Sequence, residues 1–279
     1  MFDWWTALMT SDIKAKAELF HTLHDGILVL PNAWDAISAR LVADAGARAV
    51  ATTSAGVAWS LGAADGGTLG QDRAVDLIAR VVAAVDVPVT ADIEGGYSDT
   101  PDGVAKTVEG VLAAGAVGVN LEDAGAAGLR EIADQAERIA AARRVADAAD
   151  VPLFLNARID TYLWRVGDPD TRLRETLTRA AAYADAGASG IFVPGVTDVE
   201  TVAALVEGTT LPLNVMAGPG APDVATLAGL GVSRISLGSG IAQAAYAVVR
   251  RAARQVLSDG TYDELADALD YGELNGLSG

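Results

Sequence analysis

Acidic and amide side chains punctuate the middle of this 279-residue sequence at short intervals. Asp92-Ile93-Glu94 ends one apolar run, Glu122-Asp123 ends the next, and Asn156-Ala157-Arg158-Ile159-Asp160 ends a third. Residues two apart on a strand share a face, so Asp92 with Glu94, and Asn156 with Arg158, are expected to point together. Three carboxylates converging from adjacent strands (Asp92, Glu94 and Glu122) repel one another, and a hard divalent cation relieves that repulsion. Mg2+ takes one or two carboxylates, keeps several waters and leaves a position for a substrate oxygen. Asp92, Glu94 and Glu122 are therefore the expected metal group, for Mg2+ or Mn2+, with the second and third acids holding the ion's waters. Arg158 fits either a fork for a substrate carboxylate or an ion pair with Asp160 or Glu122. Backbone N–H groups at 53–55, where an apolar run gives way to a Gly-rich loop, are expected to be free for a second anionic oxygen.

What is missing narrows the chemistry. The chain has no Cys, two His (His21 and His24) and three Lys (Lys14, Lys16 and Lys106). An active site must then come from Asp, Glu, Arg, hydroxyls, backbone amides and a metal. A Schiff-base aldolase needs a strand-borne Lys, and a zinc hydrolase barrel needs strand-end His. No glycine fingerprint for a nicotinamide follows the first apolar run. His21 and His24, three apart on a predicted surface helix, read as non-ligands. Asp35 reads as a helix N-cap, Asp65 as a turn or cap residue, and Trp34 and Trp59 as packing.

With 20 basic and 37 acidic residues the net charge is −17, which disfavours nucleic acid and anionic membranes as partners. Uncharged stretches are broken by Gly, Pro and Thr, so no membrane helix is expected. MFDWWTALMTSD lacks the basic start and clean apolar segment of a signal peptide, and the cytoplasm is the expected compartment.

The elements that position these residues repeat. DAGARAV (44–50), AAGAVGV (113–119), DAGASGI (185–191) and GLGVSRI (229–235) each set Gly after a helical stretch and before an apolar run. Pro-marked runs alternate with them: VPVTADIE (87–94), VPLFLNAR (151–158) and LPLNVMAG (211–218). Eight strands are predicted, at 27–32, 47–54, 87–94, 116–122, 151–158, 188–194, 211–217 and 233–238. Amphipathic segments lie between them. This alternation predicts an α/β protein, a (β/α)8 TIM barrel, as one domain over 1–279. An N-terminal helical segment (1–26) precedes the barrel (27–257), and a C-terminal helical tail (258–279) follows it. FDWW at 2–5 is read as a hydrophobic plug rather than a subunit contact.

PNAWDAISARL (31–41), TTSAGVAWSLGAADG (52–66), TADIEGGY (90–97), GVNLED (118–123), NARID (156–160) and NVMAGPGAP (214–222) together resemble the isocitrate lyase/phosphoenolpyruvate mutase superfamily, in its phosphoenolpyruvate-mutase-like branch. The resemblance implies an α/β barrel and a homo-oligomer, a dimer or a tetramer with an exchanged helix. It also implies Mg2+ and an oxo-acid or enolpyruvate ligand. On it, Asp92 matches the direct metal ligand, Glu94 stands where an Asp is usual, and Glu122 matches the acid that holds metal waters. Arg158 matches the arginine on the substrate's anionic group. Thr53, Ser54 and Ala55 match the pyruvate-binding segment, Asp65 an acid near the metal, and Asn214, in the NVMAGPGAP motif, is expected to bind substrate. Arg158, Glu122 and Asp65 are the expected catalytic groups.

The departure lies in DAGAAGLREIAD (123–134), which lacks the Cys, Lys and His of the lyase loop and the Lys, Thr and Asn of the mutase loop. Three functions follow from this mixed pattern. The first is an Mg2+-dependent lyase for a small 2-oxo or 2-hydroxy dicarboxylate, with decarboxylation of an oxaloacetate-like acid fitting best. The second is P–C chemistry of the phosphonopyruvate or carboxyphosphonoenolpyruvate mutase type. The third is a non-catalytic barrel that binds an oxo-acid.

Overall fold

The structure is a computed structural model that describes residues 4–125 and 127–278. The expected plug at 2–5 lies outside the described residues, as do the side chains of Trp4 and Trp5. Helix α1 (Trp4–Thr22) leads into strand β1, which runs Leu28–Leu30 and resumes as Asn32–Ala33. The other barrel strands are β2 (Val50–Thr52), β3 (Val89–Asp92), β4 (Gly118–Glu122), β5 (Phe154–Arg158), β6 (Gly190–Val193), β7 (Leu213–Met216) and β8 (Arg234–Ser236). All are parallel and pair with their sequence neighbours.

Pro31 explains how the barrel closes. Proline has no N–H for the ladder, so β1 breaks there. Its first half pairs with β8 (Leu28↔Arg234, Leu30↔Ser236), and its second half pairs with β2 (Asn32↔Ala51). The result is the predicted α/β barrel, with each strand core shorter than its apolar run.

The helices around the barrel are α2 (Ala36–Asp44), α3 (Ser54–Ser60), α4 (Gln71–Ala84), α5 (Pro101–Ala113), α6 (Ile132–Ala148), α7 (Pro169–Asp185), α8 (Val199–Gly208), α9 (Val224–Gly229) and α10 (Gly240–Ser258), with α11 (Tyr271–Ser278) in the tail. The recurrent phrase supplies four of their ends. Gly46, Gly115, Gly187 and Gly231 all have φ between 88° and 99°. Each forms the paired bonds of a Schellman motif: Gly115 N–H reaches Leu112 O and Ala116 N–H reaches Val111 O, for example. Asp35 caps α2 in a capping box with Ser38, as its position predicts.

Two stretches differ from expectation. The presumed loop after β2 is helical from Ser54, because Thr53 takes an extended N-cap conformation and Val57 N–H closes on Thr53 O. The 123–134 stretch contains a small antiparallel hairpin, Ala124–Gly125 with Gly128–Leu129, before α6 begins.

The strand starts and ends divide the labour. At the N-terminal end, Phe20 packs edge-on to Phe154, and His24 stacks on Phe154 at 3.9 Å. His24 is thus buried and not on a helix surface as predicted; burial and the nearby Arg234 charge push its imidazole down to about 3. Inside the barrel a polar layer links the strands. Asn156 Nδ2 donates to Asn120 Oδ1 (2.9 Å) and Asn214 Oδ1 (3.1 Å), and Arg234 Nη2 donates to Asn120 Oδ1 (3.2 Å). The C-terminal strand ends remain for the acids.

Candidate active site

Asp92, Glu122 and Arg158 are the last residues of β3, β4 and β5. Parallel strands all point their C-termini one way, so three residues far apart in sequence meet at one mouth. Glu122 and Arg158 are cross-strand partners in register, and Arg158 Nη1 lies 2.8 Å from Glu122 Oε2. Arg158 Nε reaches Asp160 Oδ1 at 2.7 Å, and the guanidinium lies over the Phe192 ring. Both ion pairs open to Arg158 in the sequence are therefore formed, and its fork is engaged by two carboxylates.

Glu94 reaches the mouth by a different route from the one expected. β3 ends at Asp92, so the same-face argument stops there. Glu94 sits in the left-handed region (φ 51°), and its N–H donates to Asp92 Oδ1 at 3.2 Å. Such a conformation is costly for a residue with a side chain and clusters at functional sites. The Gly67 N–H donates to Glu94 Oε2, while Glu94 Oε1 is buried without a partner.

Ser54 ties the segment after β2 to the acids. Its hydroxyl donates to Asp92 Oδ2 (3.2 Å), and its N–H approaches the same oxygen (3.5 Å). Asp92 N–H is held by Thr52 Oγ1 (2.9 Å). The expectation of free amides across 53–55 needs correction, since Thr53 N–H continues the β1–β2 ladder to Ala33 O (3.1 Å). The amides of Ser54 and Ala55 instead belong to the first turn of α3, where N–H groups have no partner within the helix. Asn214 is deeper. Its amide donates to Val215 O (2.8 Å) and Ser236 Oγ (3.2 Å) and accepts from Asn156, so its hydrogen bonds tie the barrel layer together.

The electrostatics are those of crowded acids. Burial pushes Glu122 up to about 8 against the pull of Arg158, with Asp92, Asp160 and Glu94 adding to the rise. Burial, then Asp65 and Asp92, push Glu94 up to about 7. Asp65 is raised by partial burial and by Asp92, while a Ser54 hydrogen bond and Arg158 draw it down. The Tyr97 hydroxyl is held well above its usual range by burial and by these same four acids. Asp65, Asp92, Glu94 and Glu122 are thus brought together. Asp123 is not part of that group: it is buried under Arg179 Nη1 (3.2 Å), Tyr183 OH (2.9 Å) and Asp160 N–H (3.0 Å).

The donor set suits a hard cation. It is all carboxylate oxygen, mutually repelling, with Glu94 Oε1 lacking any partner. Among the described residues no three His, Cys, Asp or Glu side chains stand close enough to form a cation cage. A cavity of about 520 Å3 opens onto Glu94, Glu122 and Tyr97 and is walled on its far side by Ala124, Gly125, Arg130 and Trp164. Arg130 went unnoticed in the sequence, where Asp134 four residues on makes it look like an ordinary helix-surface charge; Arg130 and Asp134 do approach, to 4.0 Å.

Residues 20–257 match the family model of phosphoenolpyruvate phosphomutase. The chain belongs to that family. A protein of Mycobacterium tuberculosis named only as uncharacterized is 40% identical over 91% of this chain and 94% of its own length. A crystal structure from Burkholderia cenocepacia J2315, described only as a lyase or mutase, is 40% identical, covers 95% of this chain and 96% of its own, and superposes with a TM-score of 0.89. More distantly, an oxaloacetate decarboxylase of Bradyrhizobium is 28% identical over 72% of this chain and 70% of its own length. The family thus spans lyases, decarboxylases and mutases on an α/β barrel. No helix among the described residues is long and apolar enough to cross a membrane.

Proposed function

We propose that this protein is an Mg2+-dependent carbon–carbon lyase acting on a small 2-oxo or 2-hydroxy dicarboxylic acid, with decarboxylation of an oxaloacetate-like acid as its reaction. The observation that carries this reading is the gathering of Asp65, Asp92, Glu94 and Glu122 at one mouth, where burial and mutual repulsion raise Glu94 to about 7 and Glu122 to about 8. Asp92 would hold the ion directly, with Glu94, Glu122 and Asp65 on its waters. The ion, Mg2+ or Mn2+, would supply charge stabilisation at an oxygen that becomes enolate-like.

The chain's own groups do the rest. Ser54 orients Asp92 through its hydroxyl and its N–H, and the Ala55 amide offers a donor to a substrate oxygen beside it. Arg158 keeps Glu122 and Asp160 in place. Loss of CO2 needs no proton donor on the leaving group, which suits a mouth without Cys, His or Lys. Glu122 or Tyr97 would return a proton to the product carbon. The likeness to an oxaloacetate decarboxylase supports this choice.

A second reading is P–C bond chemistry on phosphonopyruvate or a carboxyphosphonoenolpyruvate, favoured by the name of the matching family model. The self-association expected from the sequence has support in α10. Val249 and Leu257 are 63% and 86% exposed, and Ala242 is its one buried residue among those described. A second copy of the chain would cover that face.

Purified protein with Mg2+ should release pyruvate and CO2 from oxaloacetate. Turnover of none of oxaloacetate, 2-methylisocitrate and 2,3-dimethylmalate sinks the lyase reading. Phosphorus NMR of phosphonopyruvate with the enzyme decides the alternative.

A further inference from the structure

The cavity beside the acids has one positively charged residue in its described lining, Arg130. Its backbone is fixed from both sides: its N–H donates to Asp123 O (2.8 Å), and its carbonyl accepts from Arg179 Nη1 (2.9 Å). Its side chain is only 15% exposed, yet its hydrogen bond goes to Asp99, a side chain 92% exposed at 2.9 Å. Arg130 Nε is buried with no partner at all. A guanidinium has five donors, so most of this one's capacity is unspent.

A second buried cation stands behind it. Arg138 is fully buried, donates to Gly95 O, and leaves Nε and Nη1 without partners. The Nη2 atoms of Arg138 and Arg130 lie 3.9 and 4.0 Å from the same point, where a Cβ on Gly95 would sit. The wall of the cavity next to Gly95 therefore carries positive charge that no buried carboxylate answers. Arg158 differs in that Glu122 and Asp160 hold its Nη1 and Nε at 2.8 and 2.7 Å.

We propose that Arg130 binds the outer carboxylate of the substrate, exchanging Asp99 for it, and so selects dicarboxylic over monocarboxylic 2-oxo acids. The inference rests on the enolate-site reading given above and adds to it the class of the substrate's far end. A pair with an exposed carboxylate is weakly held and easily exchanged. A two-pronged bond to a substrate carboxylate inside a cavity is stronger and directional. The stretch that lacks the lyase and mutase signature residues would thereby supply recognition in place of an acid catalyst.

The test is calorimetric titration of the full chain with Mg2+ and two probes. Oxalate fills only the pyruvate-like half of the site; 3,3-difluorooxaloacetate adds an outer carboxylate. For the wild type the second probe should bind more tightly. Arg130→Gln should weaken it by about 10- to 100-fold, the worth of a charge-assisted hydrogen bond, and leave oxalate within about twofold. Asp99→Asn should hold or tighten the second probe, because it leaves only the more distant Asp134 beside the guanidinium. Equal loss for both probes, loss for neither, or an Asp99→Asn loss as large as that of Arg130→Gln overturns the assignment. If Arg130→Gln does not fold, Arg130→Lys is judged by the same ratio between probes. A wild type that binds neither probe overturns the enolate-site reading, and this assignment with it.

Discussion

Arg158 and Glu122 face each other in register on adjacent strands and close a 2.8 Å ion pair at the barrel mouth. Both side chains are 15% exposed, and Asp160, fully buried, takes the other side of the guanidinium. Removing the arginine strands two buried carboxylates. Arg158→Gln should therefore cost about 3–5 kcal/mol in urea unfolding at about pH 9, where Glu122 is charged, the usual penalty for breaking a buried pair from one side. The loss should shrink as pH falls below about 8, where Glu122 takes up its proton. Equal destabilisation at every pH would argue against the pair.

The raised acids set the pH dependence of the metal-free protein. Glu94 and Glu122 move from 4.5 to about 7 and about 8 on folding. The folded state then binds more protons than the unfolded chain, so stability falls as pH rises through that window. Thermal unfolding in chelator should show the melting temperature declining from about pH 5 to about pH 8 and levelling above it. Saturating Mg2+, which favours the charged carboxylates, should flatten the slope. A melting temperature that climbs over the same range contradicts the acid cluster.

Ser54 donates to the carboxylate proposed as the direct ligand, at 3.2 Å. Groups that orient metal ligands are worth about 10- to 100-fold in affinity. Ser54→Ala should weaken Mg2+-dependent oxalate binding by about tenfold with little change in the unfolding midpoint. Undiminished binding would remove Ser54 from the site.

Gly56 lets α3 approach the barrel. A Cβ there would lie 2.7 Å from Trp34 Cβ, 2.9 Å from Thr53 Cγ2 and 3.3 Å from Ala242 Cβ. Gly56→Ala should destabilise by about 1–3 kcal/mol through overpacking, despite alanine's better helix propensity. A stabilised variant in urea unfolding would mean that α3 packs elsewhere.

If α10 docks on a second copy, light scattering should give a multiple of the chain mass, and Val249→Asp should reduce it to one chain. A wild-type monomer would retire that expectation.

Much of the barrel is legible in the sequence. Strand positions follow from apolar runs, and helix ends follow from Gly46, Gly115, Gly187 and Gly231, because backbone conformation is set within a few residues of each glycine. The acids at 92 and 122 and Arg158 were legible too, since parallel strands place their last residues at one end. The route of Glu94 was not: its left-handed φ replaces strand geometry two residues past Asp92. Neither was the helix that begins at Ser54, nor Thr53's bond to Ala33, since both depend on how β1 meets β2 across the broken strand.

By itself the sequence determined the alternation of elements, the end of the barrel that carries the acids, and an inventory restricted to carboxylates, arginines and hydroxyls. Only the tertiary structure decided which arginine is held by buried carboxylates and which by exposed ones. Arg158 and Arg130 look alike on paper, each with acids close by in the chain. Folding pins Arg158 between two buried carboxylates and leaves Arg130 at a cavity wall with two exposed partners, Asp99 and the more distant Asp134. Ion pairing depends on distance and solvent exclusion between residues far apart in the chain, and closure of the barrel sets both.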